Sequence, residues 1–289
     1  MRMMRDSMRN TDPAGINEIY DSFIQERNDA NTEERYEGNE SWFNASNTGL
    51  CVRRVYFQSV LKAEPTNPPN TTSKRLMRLG TIVHNDIQES LLKYNTNSNN
   101  TNSNNTISNI LKKKKKQDIL KKKKKVKFFV EQEIQIKELN VRGFYDALAE
   151  VEVDDKVYYY LYDFKTMASY PWKLKFGRDA QKEQLSHQEL QLGTYGYAIQ
   201  EQFGKLSGMY LMYYNKDTSV VKSISVPLTM ISKAYSYWIN AKKEIERGLP
   251  DFRIGSSPVK EWACNYCPFK QHCNPPNFIT KQNRRSYGR

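Results

Sequence analysis

Apolar positions recur at helical spacing at Ile16, Ile19, Tyr20, Phe23 and Ile24, which predicts a short amphipathic helix over 16–27. Residues 28–40 are polar and predict a loop. A second helix is expected over 48–63, with Asn47 or Thr48 as its N-cap. Three prolines in 64–72 break it. A third helix over 73–92 carries Leu76, Ile82, Val83, Ile87, Leu91 and Leu92 as its apolar positions. The period then changes. Phe128, Val130, Ile134 and Ile136 suit a strand over 126–137. Two β-branched and aromatic runs over 141–165 follow. Next come a loop, a helix over 181–203, strands at 206–214 and 219–226, and a helix over 232–247. Three strands, a helix, two strands and a helix, after an opening helix, imply an α/β or α+β domain around a mixed sheet.

The stretch 143–165 organises the rest. Asp154-Asp155 between its two runs reads as a two-residue hairpin turn. That turn places Asp146 directly opposite Asp163, with Cβ atoms ~4.5–5.5 Å apart. Two like charges there repel unless a cation sits between them. Lys165 lies two residues beyond Asp163 and shares its face. The hairpin therefore offers a candidate divalent-metal site with a lysine beside it. A surface hairpin with solvated acids is the competing reading, and a three-residue loop would put the two aspartates on opposite faces.

Charge adds less than its total suggests. The 289 residues carry a net +13, but +9 of it falls in 111–125, where lysines 112–116 and 121–125 face the single Asp118. Residues 95–109 are almost entirely Asn, Ser and Thr. Such low complexity cannot bury a core, so 94–125 reads as an insertion between a helix and a strand. The lysine block can strengthen nucleic-acid binding without specificity. No apolar run is long enough to span a membrane, and the polar sequence after Met1-Arg2-Met3-Met4-Arg5 is unlike a secretory signal. An intracellular protein is expected. No Gly-x4-Gly-Lys-Ser/Thr occurs, so no P-loop motor is expected in this chain.

Two further patterns carry chemistry. Gln191 and Tyr195 are neighbours on one helix face, able to hydrogen-bond, and Tyr195 can stack on a base. Cys264, Cys267 and Cys273 form C-x2-C-x5-C, and Cys51 is the one other cysteine. In an intracellular protein this reads as metal binding, and four thiolates suit either zinc or a [4Fe–4S] cluster.

Gly80-x3-His84, Gly143-x2-Asp146, Asp163-x-Lys165 and Gln191-x3-Tyr195 occur in that order. This series resembles the RecB-like branch of the PD-(D/E)XK nuclease superfamily. The distant cysteine before Arg53-Arg54-x-Tyr56-Phe57, with the C-terminal triplet, resembles that superfamily's iron–sulfur exonucleases, the AddB nuclease domain and the CRISPR-associated Cas-four type. The resemblance covers about 46–276, leaving an N-terminal extension at 1–45 and a basic tail at 277–289. It implies a restriction-endonuclease-like core with a central mixed sheet flanked by helices, closed by a C-terminal iron–sulfur clasp. It implies that His84, Asp146, Asp163 and the Phe164 backbone carbonyl bind Mg²⁺ or Mn²⁺. Lys165 would activate the attacking water, with Gln191 and Tyr195 holding it and the strand. Arg53, Arg54 and Tyr195 would contact nucleic acid. Cys51, Cys264, Cys267 and Cys273 would hold a [4Fe–4S] cluster, with zinc as the alternative. The implied activity is a metal-dependent exonuclease on single-stranded DNA or DNA ends, in recombination, repair, viral DNA processing or CRISPR adaptation. It would be either a stand-alone nuclease or a subunit with a helicase, recombination or CRISPR-adaptation partner. The rival expectations are a non-catalytic DNA-binding scaffold and a structure-specific endonuclease.

Overall fold

The computed structural model describes residues 16–36, 42–99, 124–178, 186–256 and 260–273. Residues 1–15, 37–41, most of the lysine tract, the start of the helix expected at 181 and the tail 277–289 lie outside the described residues. The chain begins with α1 (Ile16–Tyr36), β1 (Phe43–Asn44), α2 (Val52–Val55) and α3 (Thr71–Asn99). Strands β2 (Lys124–Ile136), β3 (Val141–Val153) and β4 (Lys156–Met167) follow, then α4 (Ser169–Phe176) and α5 (Ser186–Phe203). The rest is β5 (Gly208–Asn215), β6 (Val221–Val226), α6 (Thr229–Glu246), α7 (Glu261–Asn265) and α8 (Lys270–Cys273). Among the described residues no helix is long and apolar enough to cross a membrane.

Several elements depart from their sequence patterns. The loop expected over 28–40 is helix as far as Tyr36. Ala30, Glu33, Glu34 and Arg35 are strong helix formers, and propensity extends a helix without an apolar stripe. Residues 94–99 of the insertion expected over 94–125 are helix, because α3 continues. Tyr94 packs edge-on against Phe128 at 5.7 Å. Asn95 Nδ2 donates to Phe128 O at 2.7 Å and Asn95 Oδ1 accepts from Phe128 N at 2.9 Å. A residue of low-complexity appearance is thus an anchor. The helix expected over 48–63 is broken into a tight turn at Ala45–Asn47, α2, and a wide π-type turn at Tyr56–Val60. Neither Asn47 nor Thr48 caps α2, and Cys51 takes that position. Thr48 Oγ1 instead meets Thr194 Oγ1 at 2.9 Å, and Trp238 Nε1 donates to both hydroxyls at 3.1 Å. All three side chains are buried, where an unmade hydrogen bond costs more than a lost cap. The stretch read as a loop after β4 holds α4, with the Trp172 and Phe176 rings, one turn apart, at 4.7 Å. Its apolar run is too short to show a period.

The described residues form one six-stranded mixed sheet. β4 and β5 are parallel, as are β1 and β3, and the remaining pairs are antiparallel. Helices α5 and α6 cover one face, burying Leu192, Ile199, Ile231 and Trp238 against Met209, Leu211 and Tyr213. Helix α3 crosses the other face. A Cβ on Gly80 would lie 2.9 Å from Thr166 Oγ1, so this glycine lets α3 approach β4. Helix α1 lies on α3, with Arg75 bidentate to Asp21 at 2.7 Å.

The hairpin turn is the two-residue loop Asp154-Asp155, with φ of 50° and 58°. Two left-handed residues match the twist of a hairpin. Pairing runs from Val153↔Lys156 to Ala147↔Tyr162 and stops. β2 holds one edge of β3 from end to end, so β4 and β1 share the other. β4 leaves at the next register position, which opposes Asp146 to Asp163. The β2 side is broken at the same point. Val130 pairs with Ala147 and Gln132 with Tyr145, while the register passes over Glu131 between them, which takes φ +48°. Inward parity reverses there, for Tyr145 and Leu148 both enter the core despite their odd spacing. The sheet thus opens into a fork centred on Asp146.

Candidate active site

The fork leaves backbone groups that side chains satisfy. Phe164 N donates to Asp146 Oδ2 at 2.5 Å. Gln88 Nε2 reaches Glu131 Oε2 at 2.7 Å and approaches Asp146 O at 3.5 Å. On the α3 side, His84 Nδ1 lies 3.5 Å from Asp146 Oδ1, and its ring stands edge-on to Phe164 at 6.0 Å. His84 follows Gly80 by about one helical turn, so the close approach at Gly80 delivers the imidazole to the fork.

Asp163 and Lys165 face α5. Asp163 is only 2% exposed. Lys165 Nζ lies 2.7 Å from Asp163 Oδ2, and apart from this ion pair that buried oxygen has no hydrogen-bond partner among the described residues. Lys165 Nζ donates to Gln191 Oε1 at 3.0 Å, and Gln191 Nε2 donates to Tyr195 Oη at 3.0 Å. The i, i+4 pair on α5 thus fixes the ammonium from behind. A Cβ on Gly143 would meet Ala45 Cβ at 2.7 Å and Tyr195 Cε1 at 3.2 Å, so the glycine makes room for this tyrosine. Burial pushes Asp163 up to about 6, with the Lys165 charge opposing and Asp146 adding. Burial also raises Tyr195 well above its ordinary value, so its hydroxyl stays protonated as a donor and acceptor.

His84, Asp146, Asp163, Lys165, Gln191 and Tyr195 therefore meet at one fork, with the Phe164 backbone among them. Three neighbours were not evident from sequence patterns. Glu131 opposes Asp146 in the β2–β3 register, which a four-residue loop at 137–140 would have revealed. Gln88 is four residues past His84 on the same helix face. Lys175 is buried with Nζ 4.9 Å over the Tyr213 ring and 3.9 Å from Glu189, and no pattern marks it.

The cysteines meet elsewhere. Cys51, Cys264, Cys267 and Cys273 line one cavity of about 170 Å³, together with Arg53, Arg54 and Trp262. Arg53 Nη1 donates to Pro250 O at 2.7 Å and its Nε to Cys273 Sγ at 3.2 Å. The two chain regions are laced around it. Thr66 N and Asn67 N donate to Pro268 O at 2.8 and 2.9 Å, and His272 Nε2 lies 2.8 Å from Glu64 O. Phe57 packs on Phe269 at 6.0 Å. Burial raises the Cys264 and Cys267 thiols. Among the described residues, no three His, Cys, Asp or Glu side chains stand close enough together to hold a metal ion, at either place.

A mixed sheet between helices, forked at two carboxylates and a lysine, defines a nuclease architecture of the restriction-endonuclease-like type. The family model described as PD-(D/E)XK nuclease superfamily matches residues 106–274, and the chain belongs to that superfamily. Its nucleases are hydrolases acting on DNA, commonly with Mg²⁺ or Mn²⁺. A solved structure titled "Crystal structure of SSO0001" is similar at 18% identity over 91% of this chain and 96% of that chain, with a TM-score of 0.46. No residue role is carried across at that distance. No curated protein sequence matches the chain.

Proposed function

We propose that the chain is a metal-dependent DNA exonuclease acting on single-stranded DNA or DNA ends. The observation that carries this reading is the run of contacts from His84 to Asp146 and from Asp163 through Lys165 and Gln191 to Tyr195. The donor set suits a divalent cation, since Asp163 Oδ2 is buried and, apart from its ion pair with Lys165, has no hydrogen-bond partner among the described residues. Asp146, Asp163, His84 and the Phe164 carbonyl would hold Mg²⁺ or Mn²⁺, and the imidazole favours Mn²⁺. A bound ion supplies an acidified water and offsets charge on the phosphoryl group. Lys165 orients that water and shields the scissile phosphate, and Gln191 keeps the ammonium on station. Tyr195 holds Gln191.

The nuclease domain in this reading spans 46–276. A [4Fe–4S] cluster on Cys51, Cys264, Cys267 and Cys273 would close it, with zinc as the alternative. The fit rests on all four cysteines of the chain lining one cavity. Arg53 and Arg54 line it too, so their contact with DNA would occur at the clasp.

Digestion of end-labelled linear and circular single strands with Mn²⁺ tests the activity. Linear strands are expected to shorten from an end while circles stay intact. Cut circles would make the protein an endonuclease, and intact linear strands at saturating protein would make it a binding scaffold.

A further inference from the structure

We propose that Gln88 and Glu131 are positioning residues of the metal site, a bridge that holds helix α3 and its His84 against the fork, an inference that rests on the nuclease reading above. Gln88 Nε2 donates to Glu131 Oε2 at 2.7 Å and approaches Asp146 O at 3.5 Å. One side-chain nitrogen thus spans β2 and β3 at the point where their register slips. Gln88 lies one turn beyond His84 on the same helix face. His84 Nδ1 lies 3.5 Å from Asp146 Oδ1. Asp146 is therefore met by α3 twice, at its carbonyl by Gln88 and at its carboxylate by His84.

The shape of β2 gives Glu131 a role beyond packing. Glu131 takes φ +48° inside the strand. The other described non-glycine residues with positive φ (Lys62, Asn140, Asp154, Asp155 and Ser219) all lie outside strands. A left-handed conformation is costly for a residue with a side chain, and such strain collects where a strand must re-aim one. Here the bulge brings the carboxylate to α3, where it meets Gln88. Its charge also reaches the buried centre of the site. Burial does most to raise Tyr195, and the charges of Asp163, Asp146 and Glu131 add to it.

Helix α3 needs such a fixing point. The close approach at Gly80 to Thr166 and the bonds of Asn95 to Phe128 lie about two turns from Gln88 on either side. Between them apolar packing holds the helix weakly. Leu76, Met77, Leu79 and Ile82 are exposed, and no described side chain of α3 is fully buried. A helix held in this way can roll, and a roll carries the imidazole away from Asp146. The Gln88–Glu131 bond is itself exposed, so it adds little to stability. Its acceptor is a carboxylate, which strengthens and directs the bond. Partners of this kind, one step removed from a metal, orient the side chains that bind it.

The test titrates Mn²⁺ into DNA-free protein and reads the free ion by electron paramagnetic resonance. Gln88→Ala and Glu131→Ala are each expected to bind Mn²⁺ about tenfold more weakly than wild type, with melts in chelator unchanged. A merely structural role would lower the melt and leave the affinity. Glu131→Gln keeps the acceptor oxygen and is expected to stay within about threefold of wild type. In a His84→Ala background, Gln88→Ala should cost nothing further, because the bridge acts through the imidazole. Should Gln88→Ala unfold, Glu131→Ala carries the comparison. Wild-type affinity in both alanine variants overturns the bridge. So does a loss in Glu131→Gln as large as in Glu131→Ala, which would make the charge and not the bond the cause. A full further loss in the His84→Ala background overturns it as well. Protein whose Mn²⁺ affinity depends on Gln88 yet never cuts DNA upholds the bridge and sinks the nuclease reading instead. Cutting by wild type, beside equal Mn²⁺ affinity in every bridge variant, sinks the bridge alone. A wild type that takes up no Mn²⁺ removes the metal site and the bridge with it.

Discussion

The fork at Asp146 and the cavity at Cys51 are both candidate metal sites, and they are built in opposite ways. The fork draws its two carboxylates and its lysine from one hairpin, where a two-residue turn sets the spacing. Helices add His84, Gln88, Gln191 and Tyr195. The cavity joins Cys51 to a triplet near the far end of the chain, through contacts such as Thr66 to Pro268 and Phe57 to Phe269. The fork concentrates like charge, which the fold endures by burial against an ammonium. The cavity gathers four cysteines, and burial raises the thiols of Cys264 and Cys267. Losing one group should therefore cost the fork its chemistry and the cavity its stability.

The largest expected effect is at the fork. Asp163→Ala or Lys165→Ala should lower the cleavage rate by about 10²–10³-fold or more, while circular dichroism and DNA binding stay near wild type. Near-normal cleavage by either purified variant would erase the contrast. The cavity should answer differently. Cys51→Ser should release iron and cost on the order of 3–5 kcal/mol, since the ligand set ties distant parts of the chain. Iron analysis and thermal melts measure both, and a colourless wild type with one zinc would keep the clasp while changing its metal. An unchanged melt would show that Cys51 is no ligand.

A third variant joins the two behaviours. Gly143→Ala forces a Cβ against Ala45 and the Tyr195 ring, and should destabilise the protein by about 1–3 kcal/mol. It should also slow cleavage, because Tyr195 holds Gln191 and Gln191 holds Lys165. A stability loss with unaltered kcat would mean that the hydrogen-bonded chain does not position the lysine.

The smallest expected effect is a pH slope. Burial raises Asp163 to about 6, above the ordinary value near 4 that it regains on unfolding. Between those values the folded state holds more of the proton. Metal-free protein should therefore lose stability as pH rises from about 4 to about 6, by on the order of 1–3 kcal/mol. Melts in chelator across that range test it, and Asp163→Asn should flatten the difference. A wild type that gains stability over the Asn variant as pH rises would reverse the assignment.

The hairpin was legible because strand periodicity and turn chemistry are local. A polar break of Asp154-Asp155 between apolar runs sets the register, and the register alone opposes Asp146 to Asp163. The helical pair Gln191 and Tyr195 was legible for the same reason. The helix ends were not, since Tyr94 and Asn95 are held by Phe128, far along the chain. Nor was the role of Thr48, which only the meeting with Thr194 and Trp238 explains.

By itself the sequence determined the alternation of elements, the mixed α/β class, and the spacing of the carboxylates, the lysine and the cysteines. These follow from interactions within a few residues, where period and turn leave few alternatives. Tertiary structure alone decided that β3 and β4 part at Asp146, that Glu131 and Gln88 stand beside it, and that Cys51 reaches the C-terminal cysteines. Each of those depends on contacts between distant segments, whose closure is set by the packing of the whole core and not by any local preference.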